Sequence, residues 1–144
     1  KLYGVDISSV GIEKCKGSYG CLADFTAGTE KEMQDVDIVI ASNVFEHLTD
    51  DKKVAKRILQ KTEKLYIVVP YKEKPLMDEH INSYDEFYFS ELNVLWFKIF
   101  SAKGWTESGF RLFKLGVRNL IRILTGKKIQ PRSRQIMFCL ARDA

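Results

Sequence analysis

The 144-residue sequence predicts an α/β fold built on a mostly parallel sheet, because short apolar runs alternate with helical or turn segments. Four of these runs are predicted to be strands: Leu2–Val5, Cys21–Ala23, Val36–Ala41 and Leu65–Val69. Strands that alternate with helices pair in parallel through right-handed crossovers, which places helices on both faces of the sheet. We expect residues 1–144 to form a single domain.

The segment from Val36 to Asp51, VDIVIASNVFEHLTDD, is the centre of this prediction. Its first six residues are nearly all apolar, which is typical of a strand buried on both faces. The run ends at Ser42-Asn43, which are turn-prone, and Thr49 to Asp51 offer an N-cap for the next helix. Ser42 to His47 therefore lie beyond the carboxyl end of a strand, where open α/β sheets bind ligands. An ordinary strand-to-helix loop is the alternative.

The second half of the chain predicts a different arrangement. Tyr71 to Tyr84 is a polar loop, and the aromatic segment Asp85 to Phe100 fits an amphipathic helix that Gly104 ends. We expect the apolar side of this helix to face inward through Phe89, Leu92, Leu95, Trp96 and Ile99. Phe110–Val117 and Gln135–Ala141 are predicted to be a pair of strands that forms an antiparallel edge of the sheet.

Charge is unevenly distributed along the chain. Residues 1–102 contain 13 Lys or Arg against 17 Asp or Glu, whereas residues 103–144 contain 10 against 2. The basic segment Arg111–Arg134 could contact RNA, an acidic carrier or a membrane surface, or it could be a solvated face. Within it, Lys114, Arg118 and Arg122 recur every four positions, so a basic amphipathic helix competes with the strand predicted for Phe110–Val117.

Composition argues against a membrane-spanning, secreted or disulfide-rich protein. With 45% hydrophobic and 29% charged residues, a soluble globular domain is expected, and no apolar run approaches the roughly 20 residues of a membrane span. The N-terminus does not resemble a signal peptide. Three cysteines without CxxC spacing and two histidines argue against a disulfide framework and against a zinc site. The expected location is the reducing cytoplasm.

Polar residues at successive strand ends suggest a site for adenosine. Asp6 follows the first predicted strand, where a carboxylate can accept two hydrogen bonds from a ribose diol. Asp24-Phe25 follows the second, where the carboxylate could accept from an adenine amine while the ring packs on the purine. Ser42-Asn43 follows the third. An acid exposed in a turn is the alternative for each carboxylate taken alone.

The sequence resembles the class I S-adenosylmethionine-dependent methyltransferases over essentially its whole length. The residues YGVDIS at Tyr3–Ser8 and LADF at Leu22–Phe25 resemble the family's ribose-binding and adenine-binding segments. DIVIASNVFEHL at Asp37–Leu48 is similar to the fourth strand and its cofactor-proximal loop, and KLYIVVPY at Lys64–Tyr71 to the fifth strand. The family's glycine-rich loop has no counterpart here, so we expect either a sequence that lacks its N-terminal part or a degenerate member.

The resemblance implies S-adenosyl-L-methionine as the cofactor and assigns its contacts. It implies that the ribose lies at Asp6 and Ile7, the adenine at Asp24 and Phe25, and the cofactor edge at Ser42, Asn43 and Val44.

The methyl acceptor is expected to be a small molecule or a carrier-linked group, and nucleic acid is not the expected partner. His47, His80 and Tyr84 are the candidates to face it, His47 with Glu46 beside it to orient the imidazole. A packed helix-start histidine is the alternative for His47, and a plain lid loop is the alternative for His80 and Tyr84. No metal-ligand set is predicted.

Two other functions remain open from the sequence. The first is a non-catalytic methyltransferase-like module that binds an anionic partner through its basic C-terminal region. The second is an NAD-dependent oxidoreductase, because an acid after such a strand suits that ribose equally well.

Overall fold

The computed structural model describes residues 1–74, 76–101, 109–126 and 134–143. In chain order the strands and α-helices are β1 Leu2–Asp6, α1 Ser9–Tyr19, β2 Ala23–Ala27, β3 Val36–Ser42, α2 Asp51–Lys61, β4 Thr62–Pro70, β5 Val94–Ser101, α3 Gly109–Leu124 and β6 Arg134–Ala141. Two single turns of 3₁₀ helix, Glu30–Glu32 and Phe45–His47, connect β2 to β3 and β3 to α2.

The described strands form two hydrogen-bonded sheets. β1 and β2 pair in parallel, and the larger sheet has the order β3-β4-β6-β5. Within it β3 is parallel to β4, whereas β6 runs antiparallel to both β4 and β5. The predicted mixed α/β fold, with its antiparallel C-terminal strands, is confirmed.

The core lies where α2 packs against one face of the larger sheet. Alternate residues of β4 and of β6 point into it, as the two-residue period of a strand requires. α2 contributes residues at the i, i+3, i+4 spacing of one helix face. The buried members from these three elements are Ala55, Ile58, Leu59, Leu65, Ile67, Val69, Ile136, Phe138 and Leu140.

β3 is less buried than its apolar sequence predicted. Val39 and Ala41 pack against the core, but Ile38 and Ile40 on the other face are 53% and 73% exposed. The expectation of burial on both faces is wrong for the described residues, because only one face of β3 packs against the core.

Two elements predicted for the second half of the chain are wrong. The helix predicted for Asp85 to Phe100 is a series of turns followed by β5. Phe89 and Leu92 of the turns are buried, as their inward assignment predicted. Leu95 and Trp96 lie in β5 and are exposed, because the backbone of this segment pairs with β6 instead of closing helical hydrogen bonds.

The strand predicted for Phe110–Val117 is part of helix α3, which confirms the competing prediction of a helix. The second strand of the predicted pair, Gln135–Ala141, is confirmed as β6, and its antiparallel partner at the sheet edge is β5. The predicted stop at Gly104 lies outside the described residues. No helix among the described residues is long and apolar enough to cross a bilayer.

Of the two N-terminal strands, the first lies where it was predicted and the second lies further along the chain. Ser8 caps α1 by accepting a hydrogen bond from the Gly11 amide through its side chain, and Gly20 is the C-cap residue. β2 spans Ala23–Ala27 and shares only Ala23 with the predicted strand Cys21–Ala23, so the predicted bounds of this strand are wrong.

The small sheet connects to the large one through charged contacts. Arg57 of α2 donates to the Glu30 carboxylate at 2.7 Å, and the Lys61 ammonium donates at 2.8 Å to the carbonyls of Lys31 and Met33. Met33 also packs on the core. The chain between β2 and β3 is therefore attached to the last turns of α2.

The contribution of the buried Tyr84 hydrogen bond to the stability of the fold can be tested. Its hydroxyl donates to Asp51 Oδ2 at 2.8 Å, and both side chains are buried. Tyr84→Phe should lower the free energy of unfolding by about 1.5–3 kcal/mol, because the carboxylate loses a buried partner. Urea unfolding would measure the change. Tyr19→Phe, at an exposed tyrosine, is the matched control and should stay within about 0.5 kcal/mol of the parent. Equal stability of the two variants would contradict the structural role given to Tyr84.

Candidate functional site

The carboxyl end of β3 turns sharply at Asn43. This residue has a φ of +53°, a left-handed conformation that asparagine tolerates better than most residues. Its amide donates to the Val68 carbonyl at 2.9 Å, and its side-chain oxygen accepts from Gln135 at 3.1 Å. Ser42 and Val44, on either side, are exposed. The predicted cofactor-edge residues thus occupy a defined turn at the end of β3.

A single 3₁₀ turn, Phe45–His47, follows and lies over the core. The Phe45 ring is 1% exposed and meets the Phe89 ring edge-on, with 6.2 Å between ring centroids. Because Phe45 is packed in the core, the next residue is also held inside, and Glu46 is 1% exposed. His47, one residue further, is exposed.

The loop of residues 76–84, here the 76–84 loop, folds back onto this 3₁₀ turn. The Ile81 amide donates to the Glu46 carbonyl at 2.8 Å, and the Asn82 side chain donates to the Leu48 carbonyl at 2.7 Å. His47 Nδ1 lies 3.1 Å from the Glu79 carbonyl oxygen. These bonds hold the loop over the end of β3.

This fold brings together the two histidines that the sequence placed separately. The rings of His47 and His80 are 4.9 Å apart between centroids and meet edge-on at 77°. His80 Nδ1 lies 2.6 Å from Glu73 Oε2, in a part-buried hydrogen-bonded contact. Sequence reasoning missed Glu73, and no local pattern indicated it, because the contact depends on the fold of the loop.

The hydrogen-bond partners of His47 and His80 determine which ring nitrogen of each carries the proton. A carbonyl or carboxylate oxygen only accepts, so each Nδ1 is assigned as the donor. In the neutral form the lone pair is then on Nε2 of His47 and of His80. These two nitrogens can accept a proton or bind a metal ion.

Glu46 is the third member of this cluster. Its Oε2 has no hydrogen-bond partner among the described residues. Burial raises the pKa of the Glu46 carboxyl, while the nearby imidazoles of His47 and His80 act in the opposite direction. The sequence indicated Glu46 only as a residue that could orient His47.

Tyr84, predicted to close an acceptor pocket, lies in the core. Burial, followed by the hydrogen bond to Asp51, raises the pKa of its phenol, so it stays a protonated donor. Its ring also contacts those of Tyr88 and Phe89. This placement gives Tyr84 a structural task, and a role at the acceptor stays a prediction.

Asp6 lies at the carboxyl end of β1, as predicted, and is exposed. Its Oδ1 accepts from the Ser8 amide at 2.8 Å, a local bond that shapes the turn into α1. The side chain of Ile7 is 82% exposed beside it. Ribose binding by these residues stays a prediction.

Asp24 and Phe25 lie inside β2, which corrects their predicted place at a strand end. They pair with Tyr3 and Gly4 of β1, whereas Asp6 pairs with Ala27. The Asp24 carboxylate forms an ion pair with Lys1 at 2.5 Å. The Phe25 ring lies over Gly4, where a Cβ atom would meet it at 2.6 Å. Their proposed contact with adenine remains untested.

No protein-family model matches this sequence, and no curated protein matches it. The fold does match solved structures. The chain is 15% identical to the plantazolicin methyltransferase BpumL, solved with S-adenosylhomocysteine (SAH) and a triazolic desmethylPZN analogue, with a TM-score of 0.59 over 99% of this chain and 68% of BpumL. It is 11% identical to the [4+2]-cyclase SpnF, with a TM-score of 0.66 over 100% of this chain and 67% of SpnF.

A third match, WbdD, is 15% identical, with a TM-score of 0.60 over 97% of this chain. The chain spans only 30% of the length of WbdD and about two thirds of the length of the other two. At these identities the likeness concerns the fold. This chain has the fold of the class I S-adenosylmethionine-dependent methyltransferases.

Proposed function

We propose that this chain belongs to an S-adenosylmethionine-dependent methyltransferase that acts on a small-molecule or carrier-linked acceptor. The observation that carries the proposal is the fold likeness to a methyltransferase solved with SAH. Because the same fold also occurs in a protein named as a cyclase, the fold alone does not fix the reaction. The arrangement of residues at the strand ends must therefore support it.

The cofactor half of the proposal rests on Asp6 and on the turn at Asn43. Asp6 offers an exposed carboxylate at a strand end, and one of its oxygens keeps α1 in place by accepting from Ser8. The remaining lone pairs suit a ribose diol, in charge-assisted hydrogen bonds. The Ser42–Val44 turn supplies polar groups and the exposed Val44 side chain for the edge of the cofactor.

The acceptor half rests on the two imidazoles. The sulfonium of the cofactor is a strong electrophile, so alignment of acceptor, methyl carbon and sulfur is the main requirement. For a hydroxyl acceptor, Nε2 of His47 or His80 would take the proton as the acceptor oxygen bonds to the methyl carbon. The bond from carbon to sulfur breaks in the same step and releases SAH.

Isothermal titration of SAH tests the proposal most directly. It should be run on the complete open reading frame that encodes this chain and, in parallel, on the 144-residue chain. Binding to the complete protein supports the proposal. If SAH binds neither, the non-catalytic module becomes the better explanation.

Substitution of Asp6 should weaken cofactor binding. Asp6→Ala should cost about 1.5–3 kcal/mol of binding free energy, the range for hydrogen bonds to a charged group. Asp6→Asn retains an oxygen for the Ser8 amide, so a loss in this variant would report the charge and not the local fold. SAH titration would measure both variants in the complete protein.

Asp37→Ala provides the matched control, since Asp37 is an exposed acid near the start of β3. It should bind SAH like the parent. If Asp6→Ala binds as tightly as Asp37→Ala, the ribose assignment is wrong.

Helix α3 supports a second candidate, the binding module. Its sequence GFRLFKLGVRNLIRIL has four basic and no acidic residues. Described apolar side chains on it are largely exposed, including Phe113, Leu120 and Leu124. A basic helix with an exposed apolar face suits an anionic partner.

Salt dependence would detect such a partner. If α3 binds an anionic polymer, the affinity for heparin should fall steeply with salt concentration, because bound counterions are released. Arg118→Gln should lower the slope of log affinity against log salt by about 1. Lys14→Gln, at an exposed lysine of α1, is the control. A slope that Arg118→Gln does not change would remove α3 from the interface.

A further inference from the structure

A cluster of nitrogen and oxygen ligands lies beyond the carboxyl end of β3. We propose that Glu46, His47 and His80 form a binding site for a divalent transition-metal ion. No local sequence pattern indicated such a site, because His80 lies 33 or more positions away from the other two members. The fold of the 76–84 loop brings the three residues together.

Their ligand atoms lie close to one another. One atom from each of the three side chains lies within 4.8 Å of the others. Ligands at about 2.1 Å from a tetrahedral ion are roughly 3.4 Å from one another. A bound ion would therefore have to draw these atoms together by up to about 1.4 Å.

The groups behind the two histidines match those found around metal sites. His47 donates its Nδ1 proton to the Glu79 carbonyl oxygen, and His80 donates its own to the Glu73 carboxylate. Metal-binding histidines commonly donate their second ring N–H to an oxygen of this kind, which fixes the ring and makes the ligand nitrogen more basic. Both Nε2 atoms are thereby left for the ion.

The Glu46 carboxylate provides an independent observation that points to a bound cation. It is 1% exposed, and its Oε2 has no hydrogen-bond partner among the described residues. A buried carboxylate oxygen without a partner is unfavourable and rare in folded proteins. A cation held between this oxygen and the two imidazoles would satisfy it.

The ligand types indicate the class of ion. Two imidazoles and one carboxylate suit Zn²⁺, Fe²⁺, Co²⁺ or Mn²⁺, whereas Mg²⁺ and Ca²⁺ prefer sites made of oxygen alone. Three protein ligands leave at least one coordination position open, as in catalytic sites. An oxygen of the methyl acceptor could occupy that position. With both Nε2 atoms on the ion, the ion would replace the imidazoles in promoting loss of a hydroxyl proton, and this link alone rests on the function proposed above.

The experiment titrates Zn²⁺ into the complete protein after dialysis against a chelator, by calorimetry. Co²⁺ is added in a second series, because its visible absorption reports the number and type of its ligands. One ion per chain should bind. Glu46→Gln, His47→Ala and His80→Ala should each weaken binding at least about 10-fold, and Glu73→Gln should do so by roughly 10-fold through the orientation of His80.

Asp78→Asn is the matched control, an exposed acid of the same loop outside the cluster, and should bind Zn²⁺ like the parent. Thermal unfolding of the metal-free variants separates lost ligands from lost folding. Glu46→Gln should unfold close to the temperature of the parent, because it keeps the size of a side chain whose Oε2 already has no described hydrogen-bond partner.

Three results would overturn the site. The first is no binding of Zn²⁺ or Co²⁺ to the parent protein. The second is binding that survives Glu46→Gln but not the histidine substitutions, which would indicate a surface histidine pair only. The third is equal loss in Asp78→Asn. Since the titration contains no S-adenosylmethionine, failure of the proposed methyl transfer would leave its outcome unchanged.

Discussion

The candidate site depends on β4, the strand that pairs with both β3 and β6. Leu65, Ile67 and Val69 of this strand are fully buried, so its position is fixed by packing on one face as well as by hydrogen bonds along both edges. The Val68 carbonyl receives the Asn43 amide, which sets the turn that leads to Glu46 and His47. The chain that carries His80 also leaves from the end of β4. The positions of His47 and His80 therefore both depend on β4.

Two buried acids near this strand have opposite surroundings. Asp51 accepts hydrogen bonds from the Tyr84 hydroxyl and the Lys52 amide, so its burial is compensated. Glu46 is as deeply buried, because its neighbour Phe45 is anchored in the core, yet one of its oxygens has no described partner. Native proteins keep such groups chiefly where a ligand, ion or reaction uses them. This contrast separates a carboxylate that stabilises the fold from one that serves a site.

The sequence predicted the elements whose signals are local. The β-branched runs of β3 and β4 and the turn at Ser42-Asn43 were predictable, because the intrinsic preferences of neighbouring residues decide these elements. β5 was not readable, since a register shift between Val94 and Trp96 breaks its alternation and its aromatic residues also fit a helix. Phe110–Val117 was ambiguous for the related reason that its apolar positions fit both periods.

The site was predicted in parts but not as a whole. His47 was identified as a candidate because it follows the central strand beside Glu46, and His80 because the family resemblance places the acceptor at the loop after the fifth strand. Their contact, the participation of Glu46 and the support from Glu73 depend on how the 76–84 loop folds back, through bonds such as Ile81 to the Glu46 carbonyl. Such long-range contacts leave no periodic signal in a single sequence.

Alignment between the two halves of the proposed site depends on a polar junction. Asp6 belongs to the small sheet, whereas the histidine pair belongs to the large one, and the two sheets share no strand. The Arg57–Glu30 ion pair and the three carbonyls around the Lys61 ammonium connect them, with the Glu30 carboxylate only 13% exposed. Methyl transfer is sensitive to small errors in the line from acceptor to sulfur. Arg57 and Lys61, in the last turns of α2, are therefore among the contacts that would position a cofactor bound at Asp6 relative to the histidine pair.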